Sequence, residues 1–170
     1  NVSMVKYLVT EVMPRIWERR PTTRLTVVGK DPPADVKALG ENRLITITGT
    51  VDDIRPFLWK AAVAVVPLIY GAGIQNKILE AMATGTPVVT TSRALASLAV
   101  LPDTDILVGD TAEDFSRKVM DLLDDLAFQR SVGDRGLDYV KRNHDWRKIV
   151  SRLSEVYSKS IASAKILQVA

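Results

Sequence analysis

A parallel β-sheet flanked by helices, an α/β domain, is what this sequence predicts. Short β-branched runs alternate along the chain with stretches of helical periodicity, the order expected of such a sheet. One run, Ala61–Leu68 (AAVAVVPL), is apolar throughout and does not alternate, as in strands covered on both faces. The length of 170 residues, with 46% apolar and 25% charged side chains, suits one domain with a real core and excludes disordered and fibrous classes.

Val5, Leu8, Val9, Val12 and Ile16 recur at three- and four-residue steps, predicting an amphipathic helix over 2–19 that Pro14 must kink or restart. Arg24–Lys30 reads as a strand stopped by Gly29, and Asp31-Pro32-Pro33 breaks the chain before a short helix over 33–39. Arg43–Gly49 is the second strand, and a mostly helical stretch covers 52–60. After the strand at 61–68, the loop Ile69–Gly73 opens a helix over 74–83 with Gly85 as its stop. Pro87–Thr91 and Asp105–Val108 are further strands. Thr111-x-x-Asp114 resembles a capping box ahead of Phe115, Val119, Leu122 and Leu123. Helices over 126–142 and 146–164 close the chain, and in the last one Trp146, Ile149, Val150, Leu153, Val156 and Tyr157 form one apolar stripe. No repeat or linker divides these elements. In a doubly wound sheet the opening helix crosses between two parallel strands, so a strand is expected ahead of residue 1. Residues 1–170 are therefore expected to be one domain cut from a longer protein just after its first strand.

Composition narrows the chemistry. With no cysteine the chain has no disulfide framework, thiolate nucleophile or Cys-rich metal site, and one histidine leaves little for a triad or a multi-histidine centre. No run of about 18 apolar residues exists, so no transmembrane segment is expected, and no small-residue cleavage site follows Asn1–Lys6. A cytoplasmic chain is the expectation. Its 23 basic and 20 acidic residues put the pI near 9.2, a mild bias toward anionic partners.

In open α/β sheets ligands bind at the carboxyl ends of the strands, near the switch in strand order. The segment after Ala61–Leu68 suits this role. Gly71 and Gly73 permit tight turns and close backbone approach. The amides of Ile74, Gln75, Asn76 and Lys77 lie at a helix start, where free N–H groups and the dipole favour phosphate. Lys77 adds a positive charge in a turn where the dipole disfavours one, which a nearby anion would explain. Glu80, one turn on, can accept hydrogen bonds from a ribose diol. A Gly-x-Gly loop before a helix is also common to α/β proteins of many kinds, and Glu80 reads equally as part of a solvated helix face.

The run IQNKILEAMATGTPVVTT resembles the signature region of family 4 retaining glycosyltransferases, in which Leu-Glu-Ala-Met-Ala leads to Gly-Thr-Pro-Val-Val. Arg24–Gly29, Gly49-Thr50-Val51-Asp52 with Leu58 and Ala61–Pro67, and Asp145-Trp146 extend the likeness over nearly the whole chain. The resemblance implies a Rossmann-like domain, one half of a GT-B fold, that binds a nucleotide-diphosphate sugar as donor substrate, with no further cofactor and no metal. Glu80 matches the second glutamate of the family's Glu-x7-Glu motif, which holds the ribose. The amides of Ile74, Gln75 and Asn76 match those facing the diphosphate and sugar, Val51 the turn that reads the base, and Gly29 a strand end beside the nucleotide. The first motif glutamate falls at Ala72, a departure read as subgroup variation in a small-residue loop that carries a lysine near position 77. The implied activity is retaining hexosyl transfer in polysaccharide or glycolipid assembly, with peripheral association of the full-length protein at the inner face of a membrane. The acceptor, the sugar and the base are unassigned. A non-catalytic nucleotide- or protein-binding module of the same fold is the alternative, with Ala72 marking lost chemistry, and an epimerase on a related fold is a third.

Other candidates read as structural. Asp103-Thr104-Asp105 has the spacing of a cation site but follows Pro102 and precedes a strand, as a turn does. His144 stands just before Asp145, the expected cap of the last helix. The pairs Asp52-Asp53 and Asp124-Asp125 suit solvated helix ends. The basic group Lys141, Arg142, Arg147 and Lys148 has only Trp146 beside it, so nucleic-acid binding is not expected.

Overall fold

The computed structural model describes residues 1–70 and 73–167, without the side chains of 148, 149, 152 and 162–167. Gly71 and Ala72 lie outside the described residues. Five strands lie in two parallel ladders: β1 (Leu25–Val27) with β2 (Ile45–Ile47), and β3 (Ala64–Val66), β4 (Val88–Thr90) and β5 (Leu107–Val108) in that order. The registers pair Leu25 with Ile45, Ala64 with Val88 and Val89 with Leu107. This is the expected α/β fold, a Rossmann-like half of the GT-B type.

The opening helix breaks where proline requires it. α1 (Val2–Tyr7) passes through a wider π-helical turn, Leu8–Val12, into α2 (Met13–Arg19). Pro14 sits in the first turn of α2. It has no N–H to donate, and its ring would crowd the carbonyl of Thr10 in a regular α-helix, so the turn ahead of it opens. Two cores form. Leu8, Val12, Met13 and Ile16 meet Leu25, Ile45, Val89 and Leu107 together with Phe115, Val119 and Leu122 of α6 (Ala112–Asp124). On the other side Val66, Val88 and Ile106 pack with Ile78, Ala81 and Met82 of α5 (Asn76–Ala83) and with Tyr139. The short helices α3 (Ala34–Ala38) and α4 (Arg55–Lys60) make the connections into β2 and β3.

The helix ends follow the capping residues. Thr111 Oγ1 accepts the Asp114 N–H at 3.1 Å, and Asp125 Oδ1 accepts the Phe128 N–H at 2.9 Å to start α7 (Leu126–Asn143). At the end of α5, Gly85 (φ +74°) donates to the Met82 carbonyl at 3.0 Å, and the Thr86 N–H reaches Ala81 at 3.1 Å. These are the two bonds of a Schellman turn, which needs a left-handed residue where Gly85 stands.

One expectation needs correction. β3 is not the most enclosed strand: Ala64 and Val65 are half-buried, whereas Val88, Val89 and Thr90 of β4 are all buried. Among the described residues β3 has a ladder neighbour on one side only, so its apolar composition outruns its burial. In α8 (Trp146–Leu167), started by Asp145 Oδ1 accepting the Arg147 N–H, the stripe residues Trp146, Val150, Leu153, Val156 and Tyr157 are exposed, and the side chain of Ile149 lies outside the described residues. Among the described residues no helix is long and apolar enough to cross a membrane.

Candidate functional site

The carboxyl ends of β1, β2 and β3 lead directly into the residues that the sequence points to. Gly29 and Val51 follow the carboxyl ends of the parallel β1–β2 ladder, and the loop 69–75 follows the carboxyl end of β3 in the other ladder. The Thr48 N–H donates to the Val27 carbonyl at 3.1 Å, holding the end of β2 against that of β1. Gly49 then turns at φ +71°, and Thr48 Oγ1 donates to its carbonyl at 2.9 Å. Two buried hydroxyls tie the end of β3 to β4: Thr90 Oγ1 donates to the Val66 carbonyl and Thr91 Oγ1 to that of Leu68, each at 2.7 Å. They fix the root of the loop that carries the candidate residues. The sequence marks the VVTT run as strand alone, and the role of its threonines is visible only once β3 and β4 are paired.

The expected helix from Ile74 begins at Asn76 instead. Gln75 is its N-cap, with extended-side dihedrals (φ −88°, ψ 87°), and Gly73 ahead of it needs φ +82°. The amides of Ile74 and Gln75 therefore belong to the approach to the helix, and those of Asn76 and Lys77 to its first turn. No side chain caps this end. The Gln75 side chain, buried, turns back on itself: Nε2 donates to the Gly73 carbonyl at 3.2 Å, and Oε1 accepts from Lys77 Nζ at 3.0 Å. Lys77 is half-buried and so held over the first turn rather than trailing into solvent. This gives the loop a brace and the lysine a seat.

Along α5 the apolar Ile78, Ala81 and Met82 face the core. Asn76 and Glu80, four residues apart, share the solvent face, and Glu80 is exposed. Gly29 is exposed with no atom near the place of a β-carbon, and Val51 is half-buried. Neither shares a hydrogen bond with the start of α5 among the described residues, and both follow strands of the other ladder. A concavity of about 690 Å³ lies beside β2 instead, lined by Asp31, Lys37 and Glu41 with the Thr48-Gly49-Thr50 turn. Its charged residues carry no local signal in the sequence, because α3 and the 3-10 turn Leu39–Glu41 bring them to β2 only in the fold.

The remaining candidates are occupied. Asp105, buried, accepts the Leu101 N–H at 3.0 Å, and Asp103 (φ +57°) accepts Lys118 Nζ at 2.7 Å. Partial burial works to raise the Asp103 pKa, but the Lys118 hydrogen bond, the Val108 N–H and the charges of Lys118 and Arg117 outweigh it and bring it below the ordinary carboxylate value. A depressed folded pKa adds stability above the unfolded pKa and loses it as pH falls through the folded value. Asp103→Asn, which tolerates the left-handed backbone, is expected to flatten the fall in Tm below about pH 4. The effect is under about 1 kcal/mol because the carboxylate is half-exposed. Thermal melts across that range check it. His144 closes α7, with Nε2 3.2 Å from the Tyr139 hydroxyl, which itself accepts the Ala99 N–H at 3.1 Å. Asp53 pairs with Arg55 and Asp124 with Arg20 at the surface.

Residues 1–125 match the family described as glycosyl transferases group 1. The chain belongs to the group 1 glycosyl transferases. Solved structures agree on the fold of this group 1 chain. Sucrose-phosphate synthase from Thermosynechococcus elongatus superposes with a TM-score of 0.74 at 23% identity, covering 90% of this chain and 42% of that one. The C-terminal domain of a glycosyl transferase group 1 family protein (LpcC) from Francisella tularensis gives 0.69 at 19% identity, covering 86% and 82%. Anabaena HepE in complex with UDP and glucose gives 0.72 at 14% identity, covering 86% and 43%. The group 1 chain thus spans less than half the length of the synthase and of HepE. No curated protein sequence matches it.

Proposed function

We propose that this group 1 domain is the C-terminal, donor-binding half of a family 4 retaining glycosyltransferase. A nucleoside diphosphate sugar would lie across the carboxyl ends of the strands. Its diphosphate meets the amides from Ile74 to Lys77 and the Lys77 ammonium, its ribose hydroxyls bond Glu80, and its base rests against the Val51 turn near Gly29. The observation that carries this reading is the start of α5: uncapped first-turn amides with a half-buried lysine braced over them by Gln75. When the sugar leaves, negative charge grows on the diphosphate, and donors already aimed at it stabilise that charge without reorganising. HepE, solved in complex with UDP and glucose, supports a uridine nucleotide as the first ligand to try. The acceptor belongs to the remainder of the full-length protein, for which polysaccharide or glycolipid assembly at the inner face of a membrane remains the proposal.

Calorimetric titration of UDP, GDP and ADP into the full-length protein tests the reading. A charged hydrogen bond contributes about 1.5–3 kcal/mol, so Glu80→Ala should weaken the preferred nucleotide roughly ten- to a hundredfold. Unchanged affinity in that variant removes Glu80 from the site. The second reading, a non-catalytic module, is favoured by Ala72 at the position of the family's first motif glutamate. Nucleotide binding by the full-length protein without donor hydrolysis or transfer selects it.

A further inference from the structure

From Trp146 to Ile161 every described side chain of α8 is exposed, the apolar ones included. Trp146, Val150, Leu153, Val156, Tyr157 and Ile161 are each at least half-exposed. A helix of 22 residues is about 33 Å long. Most of a helix's stability comes from covering its apolar face, and this face is left open. At 3.6 residues per turn the six residues fall within an arc of about 140°. The same spacing puts positions 147 and 165 just beyond one margin of that arc, and 148, 152 and 159 just beyond the other; all five are Lys or Arg. Glu155 falls opposite the stripe. Residues 146–167 hold five basic residues and one acidic, while the other 148 residues hold 18 basic and 19 acidic. The positive excess of the chain therefore resides in this one helix, arranged along both sides of its apolar stripe.

We propose that α8 is a membrane-surface helix: it lies flat on an anionic lipid leaflet, with the stripe in the acyl boundary and its cations at the level of the phosphates. On a bilayer, phosphates border an inserted stripe along its whole length, so cations on both margins are met without any fixed partner. A protein groove meets them only where acids stand on both of its walls. Trp146 and Tyr157 each join a flat apolar ring to an N–H or O–H, the kind of side chain that settles at the headgroup level. Glu155, on the far side of the helix, is kept away from the phosphates. Among the described residues no helix is long and apolar enough to cross a membrane, so α8 lies on the surface and does not span it. The inference rests on the membrane-face location proposed above, but not on nucleotide binding, and it assigns that location to a definite part of the chain.

Co-sedimentation of the full-length protein with phosphatidylcholine vesicles, with and without phosphatidylglycerol, tests this in the absence of nucleotide. Binding is expected only with phosphatidylglycerol, and it falls steeply as salt rises. Val150→Glu combined with Leu153→Glu weakens it by about a hundredfold or more. Arg147→Ser weakens it by about fivefold, and Glu155→Gln binds as well as the native protein or better. All three variants keep the native Tm and the native nucleotide affinity. Absence of binding to phosphatidylglycerol vesicles overturns the proposal, and so does equal binding to neutral ones. Native vesicle binding by the double variant places the membrane contact outside α8 and overturns it too. A lowered Tm or a changed oligomeric state in the double variant shows that protein covers the stripe, from the rest of the chain or from a second copy, and likewise overturns it. Vesicle binding by a protein that takes up no nucleotide counts against the donor-binding reading alone.

Discussion

Replacing Gly133 with alanine is expected to lower the stability of the domain by about 3 kcal/mol, the upper part of the range for forcing atoms into a filled site. At this chain length that is a fall in Tm of roughly 6–12 °C. A β-carbon on Gly133 would stand 2.3 Å from the Gly85 carbonyl oxygen and 3.3 Å from its carbon. Neither can yield cheaply: Gly85 is the left-handed residue of the Schellman turn that ends α5, and both bonds of that turn depend on its position. α7 would have to lift away, taking with it Gly136, whose β-carbon position lies 3.3 Å from Met82 of α5. The contrast is Gly40→Ala, where the nearest atom is Ile47 Cγ1 at 3.5 Å, an ordinary contact. Its cost is expected within about 0.5 kcal/mol. Equal losses in the two variants, measured by thermal or denaturant unfolding, would remove the close approach of α7 to α5 as a structural determinant. The consequence reaches the site, because α7 seats the helix that carries Lys77 and Glu80.

That close approach illustrates what the sequence did not disclose. Gly133 and Gly136 lie within a helical pattern, and nothing local distinguishes them from tolerated glycines; the reason for Gly133 is the Gly85 carbonyl 48 residues earlier, and for Gly136 the Asp105 carbonyl and Met82. Signals that act within one turn were readable. Thr111 and Asp145 cap the helices they precede, and Gly85 ends α5, because capping bonds span only three or four residues, whereas Asp125, expected as a solvated helix-end charge, is itself a cap. Pro14 announced a break but not its form, since whether a helix kinks or widens into a π turn depends on what it packs against. The enclosure of β3 was overread for a related reason. An apolar run reports the environment a strand is suited to, and among the described residues β3 has a ladder neighbour on one side only.

The site divides the same way. Glycines, a helix start, Lys77 and Glu80 are local features, so the sequence located them within a residue or two. The brace from Gln75 to Lys77 and Gly73 was not foreseen, because it exists only if Gln75 caps the helix instead of entering it. Thr90 and Thr91 act across 24 and 23 residues, and the charged lining beside β2 is assembled from α3, the following 3-10 turn and the strand end. Resemblance carried the chemical meaning of these positions; spacing alone left both the phosphate and the plain helix face open.

Lys77→Glu separates those two meanings with the largest effect on binding expected of any single change here. A carboxylate in the first turn of α5 interacts favourably with the helix dipole, by about 0.3–1 kcal/mol, where the native lysine interacts unfavourably. If α5 merely presents a solvated face, the variant should be as stable as the native protein, or more so, with nothing else altered. If the diphosphate sits on the first turn, the same change removes a charge-assisted hydrogen bond worth about 1.5–3 kcal/mol and puts like charge against the ligand. Two opposed unit charges 4 Å apart near a protein surface add about 4 kcal/mol before salt screens them. Affinity for the preferred nucleoside diphosphate should then fall by at least about a hundredfold while Tm holds or rises. Lys77→Met keeps the stem without the charge, and it should fall between the two. The loss in Lys77→Glu should shrink for the parent nucleoside, which has no phosphate to repel. Equal losses for nucleoside and diphosphate would instead mean that the loop from Gly73 to Asn76 had been disturbed as a whole, with Gln75 released from its brace and the phosphate lying elsewhere.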